Sequence, residues 1–462
     1  MKIVPLLLCG GVGSRLWPLS RKDFPKPFIQ LPNGKTLFSE AIERIKKLSI
    51  SDELVVACGE HCEYLVKHEL QKNNISNVRC IIEPMPKNTA PAIILSSLYI
   101  SKLYGEDCKV LAISADHLIN DTSNFKSAID QAINLSSNNI VIFGIKPTYP
   151  ETGYGYIQSN GNSVLNFVEK PDLATAKDLL KDSEVLWNAG IFLFDIKTII
   201  QESRDYCPEI LNQLQEISIQ NVRELRVSKD NYANIPSIAI DKAILEKTPN
   251  LSVVACDIDW DDIGTWKSFS KLCNLDENNN KTFGKVYSIN TQNCTILNSE
   301  NEHPIAAVGL SDLVIVQSSG SVLITNNEHC QDVKSLSQFP DLINNDYEKS
   351  YRPWGSYIVL DKGPNYKLKR IEVRSAGALS LQSHDHRDEH WTCVQGEVLV
   401  TLGDNVFTLK ANESIFIPKK TKHRMQNLTQ ETAIIIEIQT GSHLAEDDII
   451  RYQDIYNRHT LK

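Results

Sequence analysis

No stretch of the 462-residue sequence approaches 18 consecutive apolar residues, so a membrane-spanning helix is not expected. No block of clustered Lys and Arg appears either, and the 48 basic residues are outnumbered by 57 acidic ones, leaving a net charge of −9. Neutralising a phosphate backbone takes a basic face, which excludes nucleic acid as a general partner. The eleven cysteines include no Cys-x-x-Cys pair. An odd, scattered set in a chain this long reads as reduced thiols rather than a disulfide framework, and points to a cytoplasmic protein. A secretory signal is not expected, because the apolar run 3–8 is short, contains Pro5, and enters Gly10-Gly11 without a small-residue cleavage motif. With 42% hydrophobic and 23% charged residues, the composition excludes a disordered or collagen-like chain.

What is present divides into three. At roughly 100–200 residues per domain, the length implies about three domains. In residues 1–275, β-rich runs (3–8, 53–57, 110–114, 140–144) alternate with helical patterns (37–47, 90–102, 123–135). That alternation predicts βαβ units and a largely parallel α/β sheet. Residues 276–340 carry short strands and Asn/Ser/Gly-rich turns, and read as a small β linker domain. The polar stretch Asn344-Asn345-Asp346-Tyr347-Glu348-Lys349 leads into the third part, 341–462. There, short strands spaced by turns (357–360, 366–373, 397–402, 406–409, 414–417, 433–438) predict an antiparallel sandwich or barrel.

The first strand runs into Gly10-Gly11-Val12-Gly13-Ser14-Arg15. Glycines at that point let backbone N–H groups approach a phosphate or base where α/β folds bind ligands. Two familiar loops are excluded. A Walker A loop needs Gly-Lys-Ser/Thr, which is missing, and the dinucleotide fingerprint needs a third Gly where Leu16 stands. The turn carries Arg15, a forked donor for β/γ-phosphates, and is followed by Lys26, a point charge held between Pro25 and Pro27. Taken alone, the segment also fits a plain βα turn with surface cations.

The run Gly10 to Arg21 (GGVGSRLWPLSR), followed by Phe24-Pro25-Lys26-Pro27-Phe28, closely resembles the signature of mannose-1-phosphate guanylyltransferases. These are sugar-nucleotide pyrophosphorylases of GT-A-like, Rossmann-like nucleotidyltransferase fold. Further segments match in order: Glu83-Pro84 with Lys87-Asn88-Thr89-Ala90-Pro91, Ala115-Asp116-His117, Phe167-Val168-Glu169-Lys170-Pro171, Trp187-Asn188-Ala189-Gly190 and Trp260-Asp261-Asp262. The resemblance implies that Gly10, Gly11, Gly13, Ser14 and Arg15, with Glu83, Asn88, Thr89 and Ala90, bind GTP. It places Mg²⁺ on Asp116 and Asp262, and mannose 1-phosphate on Gly155, Glu169, Lys170 and Asn188. Catalysis would fall to Arg15, Lys26, Asp116 and Asp262. The chemistry suits these residue types, since in-line attack on the α-phosphorus needs mainly charge neutralisation, and hard oxygen ligands suit Mg²⁺. Lys26 would face the α-phosphate and Arg15 the departing pyrophosphate.

A second constellation lies in the third part. Gln382-Ser383-His384-Asp385-His386-Arg387-Asp388-Glu389-His390-Trp391 precedes a distant His423. On a strand, a His-x-His puts both imidazoles on one face. With Glu389 and His423 they form a three-His, one-Glu set suited to Zn²⁺ or another divalent transition metal. This region resembles a cupin, specifically the type II phosphomannose isomerase domain fused to bacterial mannose-1-phosphate guanylyltransferases. The resemblance also rests on Tyr351-Arg352-Pro353-Trp354-Gly355 and Glu446-Asp447-Asp448-Ile449-Ile450-Arg451. Three departures stand out. Only two residues separate His386 from Glu389, and Asn412 and Lys420 occupy glycine positions of the second cupin motif. The short spacing leaves His390 as a substitute ligand. Mannose 6-phosphate is the implied substrate, with Arg387 catalytic and Arg387 or Lys422 facing its phosphate.

The reading is a soluble, bifunctional enzyme that acts on GTP, mannose 1-phosphate and mannose 6-phosphate, without a membrane or nucleic-acid partner. The oligomeric state stays open between monomer and homo-oligomer. The alternative is a transferase alone, whose cupin is a non-catalytic regulatory or oligomerisation module.

Overall fold

The computed structural model describes residues 2–300, 303–318, 320–339, 342, 349–454 and 456. Most of the polar stretch ahead of the third part, Asn344 to Glu348, lies outside the described residues. Two compact units emerge: 1–296 with 306–314 and 324–334, and 297–305 with 315–323 and 335–462. The stretch read as a linker domain is thus shared between them. As expected, residues 274–326 hold only short strands, the longest six residues.

The first unit is built on a ten-stranded sheet. Its order is Glu224–Arg226, Val78–Glu83, Leu54–Gly59, Lys2–Cys9, Cys108–Ser114, Val185–Asp195, Ile140–Ile145, Leu251–Ala255, Ser163–Val168, Tyr156–Asn160. The half up to Cys108–Ser114 is parallel, joined by helices such as Leu37–Leu48 and Thr89–Tyr104. Leu37–Leu48 is helical because Thr36 caps it, accepting from Ser39 N, while Leu37, Phe38, Ala41, Ile42, Ile45 and Leu48 bury one stripe. The sheet is mixed, however, rather than largely parallel. Val185–Asp195 runs antiparallel to both neighbours, Cys108–Ser114 and Ile140–Ile145, and to the hairpin strand Tyr156–Asn160. The hydrophobic core includes Val4, Leu6, Val55, Ile81, Ile93, Val110 and Phe194, all within 1% of full burial. The Gly-rich loop leaves the carboxyl end of Lys2–Cys9, a strand with parallel neighbours on both sides.

The second unit contains two antiparallel sheets. One has the order Ser350–Arg352, Gly355–Gly363, Tyr366–Val373, Ala433–Gly441, Arg387–Gln395, Ser414–Ile417; the other Asn405–Lys410, Glu397–Leu402, His423–Gln426, Leu381–His384, Ile449–Gln453. Ile371, Val373, Trp391 and Ile435 from the first meet Val398, Val400 and Met425 from the second, giving the barrel its core. Asn412 (φ 70°) and Lys420 (φ 66°) both adopt the left-handed conformation, so the turns of the second cupin motif survive without glycine. Lys420 is held there by donating its N–H to His384 O at 2.6 Å.

Candidate active sites

At the Gly-rich loop, the Lys26 side chain is buried, its Nζ 2.9 Å from Asp116 Oδ2, and it donates to the Asp262 carbonyl. Asp116 follows Cys108–Ser114, and Asp262 follows Trp260–Asp261, which pairs with Leu118–Ile119. The two aspartates, 146 residues apart in sequence, therefore meet around one ammonium group. Burial would raise the Asp116 carboxyl, but the charges of Lys26 and His117 and the Ser114 hydroxyl hold it at about 2. Asp262 Oδ1 accepts from the Tyr154 hydroxyl at 2.6 Å and from Gly264 N at 2.9 Å. The Asp116 carboxylate and the Asp262 backbone carbonyl meet on the Lys26 ammonium, and the anchored Asp262 carboxylate belongs to the same residue pair; hard oxygen donors of this kind fit Mg²⁺.

Gly13 is needed beside Lys26. Its φ is +72°, and a Cβ there would lie 2.5 Å from Lys26 Cβ. Gly10, Gly11 and Ser14 are exposed on the same turn, and Arg15 Nε is buried without a hydrogen-bond partner. Glu83 lies further along the sheet end. Desolvation pushes its carboxyl up to about 7, against the donating Tyr232 hydroxyl. Asn88, exposed at φ 70°, caps the helix Thr89–Tyr104, and Thr89 Oγ1 accepts from Ile240 N. Ala90 is fully buried with its N–H on Ile238 O, so it backs this segment and does not offer a donor.

The residues expected at the sugar site also converge. A Cβ on Gly155 would lie 2.8 Å from Glu169 Oε2 and 3.4 Å from Asn188 Cβ. Lys170 Nζ lies 2.5 Å from Glu169 Oε1, and Asn188 N donates to Gly155 O. Three members escaped the sequence reading. Asp241 accepts from Asn188 Nδ2 at 2.9 Å, and burial followed by Glu169's charge pushes its carboxyl up to about 7. Its one signal is structural, a π-helical turn at Asp241–Leu245. Tyr154 holds Asp262 while packing edge-on between Trp187 and Trp260. His117, half-buried and pushed down by desolvation, lies with Nε2 3.7 Å from Asp116.

In the barrel, His384, Glu389 and His423 are buried, and their donor atoms lie within 4.8 Å of one another. His384 Nε2 is 3.1 Å from Glu389 Oε1, and His423 Nε2 is 3.6 Å from Oε2. His423 Nδ1 contacts Thr421 O at 2.9 Å, which leaves Nε2 buried and without a hydrogen-bond partner. Burial pushes His423 down, favouring the neutral ring that ligates. Glu389 is held well below the usual carboxylate range. Its burial is outweighed by the His384 hydrogen bond and the charges of His423, His384 and Arg387. This orphaned imidazole, second imidazole and ionised carboxylate fit a divalent transition metal.

The structure does not bring His386 into this group. Leu381–His384 ends in a bend, so the alternation that would align His384 with His386 stops there. His386 is exposed instead, its Nδ1 2.8 Å from Asp448. The residue sharing a face with His384 is Gln382, whose Nε2 lies 3.5 Å from His384 Nε2. His390 points outward against Phe416, because Glu389 takes the inward position on the same strand. Arg387 is buried over the cluster, donating from Nε to Glu389 Oε1 at 3.1 Å, with Nη2 3.4 Å from His384 Nε2. Lys422 lies outside, over the Tyr452 ring at 4.3 Å. Glu437 and Trp391 complete the interior. Desolvation, then Glu389's charge, pushes the Glu437 carboxyl up to about 8, and Trp391 Nε1 donates to both glutamates at 3.1 Å.

Three family models match this chain: nucleotidyl transferase over residues 4–279, MannoseP isomerase/GMP-like beta-helix domain over 284–338, and mannose-6-phosphate isomerase C-terminal over 341–454. A mannose-1-phosphate guanylyltransferase of Salmonella montevideo is 37% identical across 99% of this chain and 100% of its own length. The chain belongs to the mannose-1-phosphate guanylyltransferase family. The family's xanthan biosynthesis protein XanB of Xanthomonas campestris pv. campestris is likewise 37% identical, over 99% of both chains. Among solved structures, one titled mannose-1-phosphate geranyltransferase, from Thermus thermophilus, has a TM-score of 0.64 at 28% identity. It covers 73% of this chain and 99% of its own. The family assignment accounts for the joined nucleotidyltransferase and cupin architectures. Among the described residues, no helix is long and apolar enough to cross a membrane.

Proposed function

We propose that the N-terminal part transfers GMP from GTP to mannose 1-phosphate, and that the cupin interconverts mannose 6-phosphate and fructose 6-phosphate. The division into 1–275, 276–340 and 341–462 is part of this reading, supported by family matches that begin and end near those boundaries. The observation that carries the transferase is the buried Lys26 ammonium shared by Asp116 and Asp262. A mannose 1-phosphate oxygen attacks the α-phosphorus, the bond to the β-phosphate's bridging oxygen breaks, and pyrophosphate leaves. Lys26 neutralises the α-phosphate, and the unpartnered Nε of Arg15 receives the pyrophosphate. The backbone of Gly10, Gly11, Gly13 and Ser14 holds the triphosphate, while Glu83, Asn88 and Thr89 face the base. Glu169 accepts from sugar hydroxyls, Lys170 holds the sugar phosphate, and Gly155 and Asn188 shape the pocket. Mg²⁺ on Asp116 and Asp262 would supply further charge neutralisation.

In the cupin, His384, Glu389 and His423 would hold a divalent metal such as Zn²⁺, whose charge would polarise the sugar oxygens in the C2-to-C1 proton transfer. Arg387 fixes Glu389 as an anion and orients His384. The complete three-residue donor set favours this reading over a non-catalytic module. The experiment is two separate assays of the purified chain. GTP with mannose 1-phosphate should give GDP-mannose, and equal turnover of UTP with glucose 1-phosphate would overturn the substrate assignment. Metal-loaded protein should convert mannose 6-phosphate, and bound metal without conversion would return the cupin to the regulatory reading.

A further inference from the structure

The barrel cavity measures about 50 Å³. That holds an ion and a water or two, far short of the several hundred Å³ of small-molecule pockets. A sugar phosphate therefore enters only if part of the wall moves. Four cations line the wall: Arg352, Lys369, Arg387 and Arg451. Arg387 is spent on Glu389, His384 and the Ala445 carbonyl. Lys369 is 5% exposed, and its Nζ lies 3.1 Å from Glu446 Oε1 and 3.8 Å from Glu437 Oε2. Arg352 flanks the same Tyr357 ring as Lys369, their charged groups 5.3 and 4.7 Å from its centroid.

Glu446 differs from the other two wall carboxylates, Glu389 and Glu437. Its side chain is half-exposed, and it is the one residue of the turn 442–447 that lines the cavity. Residues 442–447 of that turn contain no buried side chain. Their contacts to the barrel include Lys367 Nζ to Leu444 O at 3.2 Å, Arg387 Nη1 to Ala445 O at 3.0 Å, Lys369 to Glu446, and the exposed His443 ring edge-on to His386 at 6.0 Å between centroids. A segment without apolar anchors opens at low cost. Desolvation would raise the Glu446 carboxyl, yet Lys369, followed by Arg387 and Arg352, holds it at about 2. The charge of all three cations thus reaches the place where this carboxylate lies.

Building on the isomerase reading, we propose that Lys369 and Arg352 form the phosphate subsite of the cupin cavity. The Glu446 carboxylate is then the group that the substrate's phosphate displaces, lifting residues 442–447 off the mouth. A carboxylate and a phosphate are interchangeable partners for an ammonium and a guanidinium, and the phosphate dianion carries more charge onto the same cations. Exchange of one for the other couples recognition of the phosphate to opening of the cavity.

The test is calorimetric binding of inorganic phosphate and of mannose 6-phosphate to the full-length, metal-loaded protein. E446A and E446Q remove the competing anion, so both ligands should bind about fivefold more tightly, the upper range for one partly exposed ion pair. Guanylyltransferase turnover should be unchanged. K369M should weaken both ligands at least tenfold and erase the gain from E446A. Unchanged or weaker binding in E446A and E446Q overturns the proposal, and these surface variants decide it if K369M does not fold. If the wild type isomerises mannose 6-phosphate but neither variant tightens binding, only the displacement idea fails. If the metal-loaded wild type neither binds nor isomerises it, the isomerase reading fails and the proposal falls with it.

Discussion

Replacing Lys26 with Met removes the one cation that both aspartates share, and the structure gives two separable magnitudes. For catalysis, the loss of a preorganised donor facing developing phosphoryl charge costs about 10²–10³ in rate. For stability, Asp116 is held at about 2 against an ordinary 3.8. At 1.36 kcal/mol per pH unit, that difference is worth roughly 2.5 kcal/mol, with the Lys26 charge the first of the interactions that lower it. A depressed carboxylate stabilises the fold above its unfolded value and loses that contribution as pH falls through the folded one. K26M should therefore melt below the wild type at pH 7, and the gap should narrow between about pH 4 and pH 2. Adding D116N should restore stability, because no uncompensated buried charge remains, without restoring GDP-mannose formation. Initial rates at saturating GTP and thermal unfolding across pH measure both effects. Turnover of K26M within threefold of the wild type, or a double variant no more stable than K26M, would refute the reasoning.

Gly13→Ala should cut the transferase at least tenfold, because the new Cβ meets Lys26 Cβ at 2.5 Å on a backbone with φ +72°; unchanged turnover would show that Lys26 is not fixed by this contact. His423→Ala should lower bound metal well below one equivalent and abolish isomerisation, whereas His386→Ala should leave metal content unchanged, as metal analysis of the two proteins will show. Asp241→Asn removes a carboxyl raised from 3.8 to about 7, a group whose destabilisation of the fold builds up between those pH values and is complete above the higher one. The variant should gain melting temperature at pH 8 and little at pH 4, and an equal gain at both pH values would contradict the assignment.

The short-range features were legible because local chemistry alone sets them. The alternation of apolar runs with helical patterns marked the α/β part, and the Gly-rich turn with Arg15 and Lys26 marked the place proposed to bind phosphate. Short strands spaced by turns marked the barrel. Less legible were strands made polar by their own function. Leu381–His384 and His423–Gln426 carry ligands where an apolar inward face would have announced a strand. The same cause misplaced His386. Alternation is a property of a strand, and one-letter spacing does not say where the strand stops, so the partner of His384 on its face is Gln382. Asp241, Tyr154 and Lys369 were invisible for a different reason. Each is an ordinary residue in sequence and gains its role from a neighbour brought close by the sheet or barrel. Residue type and order along the chain determined which chemistry is possible here: phosphate contact at the loop, a His/Glu metal set in the barrel. Tertiary structure decided which groups meet and which charges persist, because burial and proximity set a carboxylate's ionisation, and both depend on atoms distant along the chain.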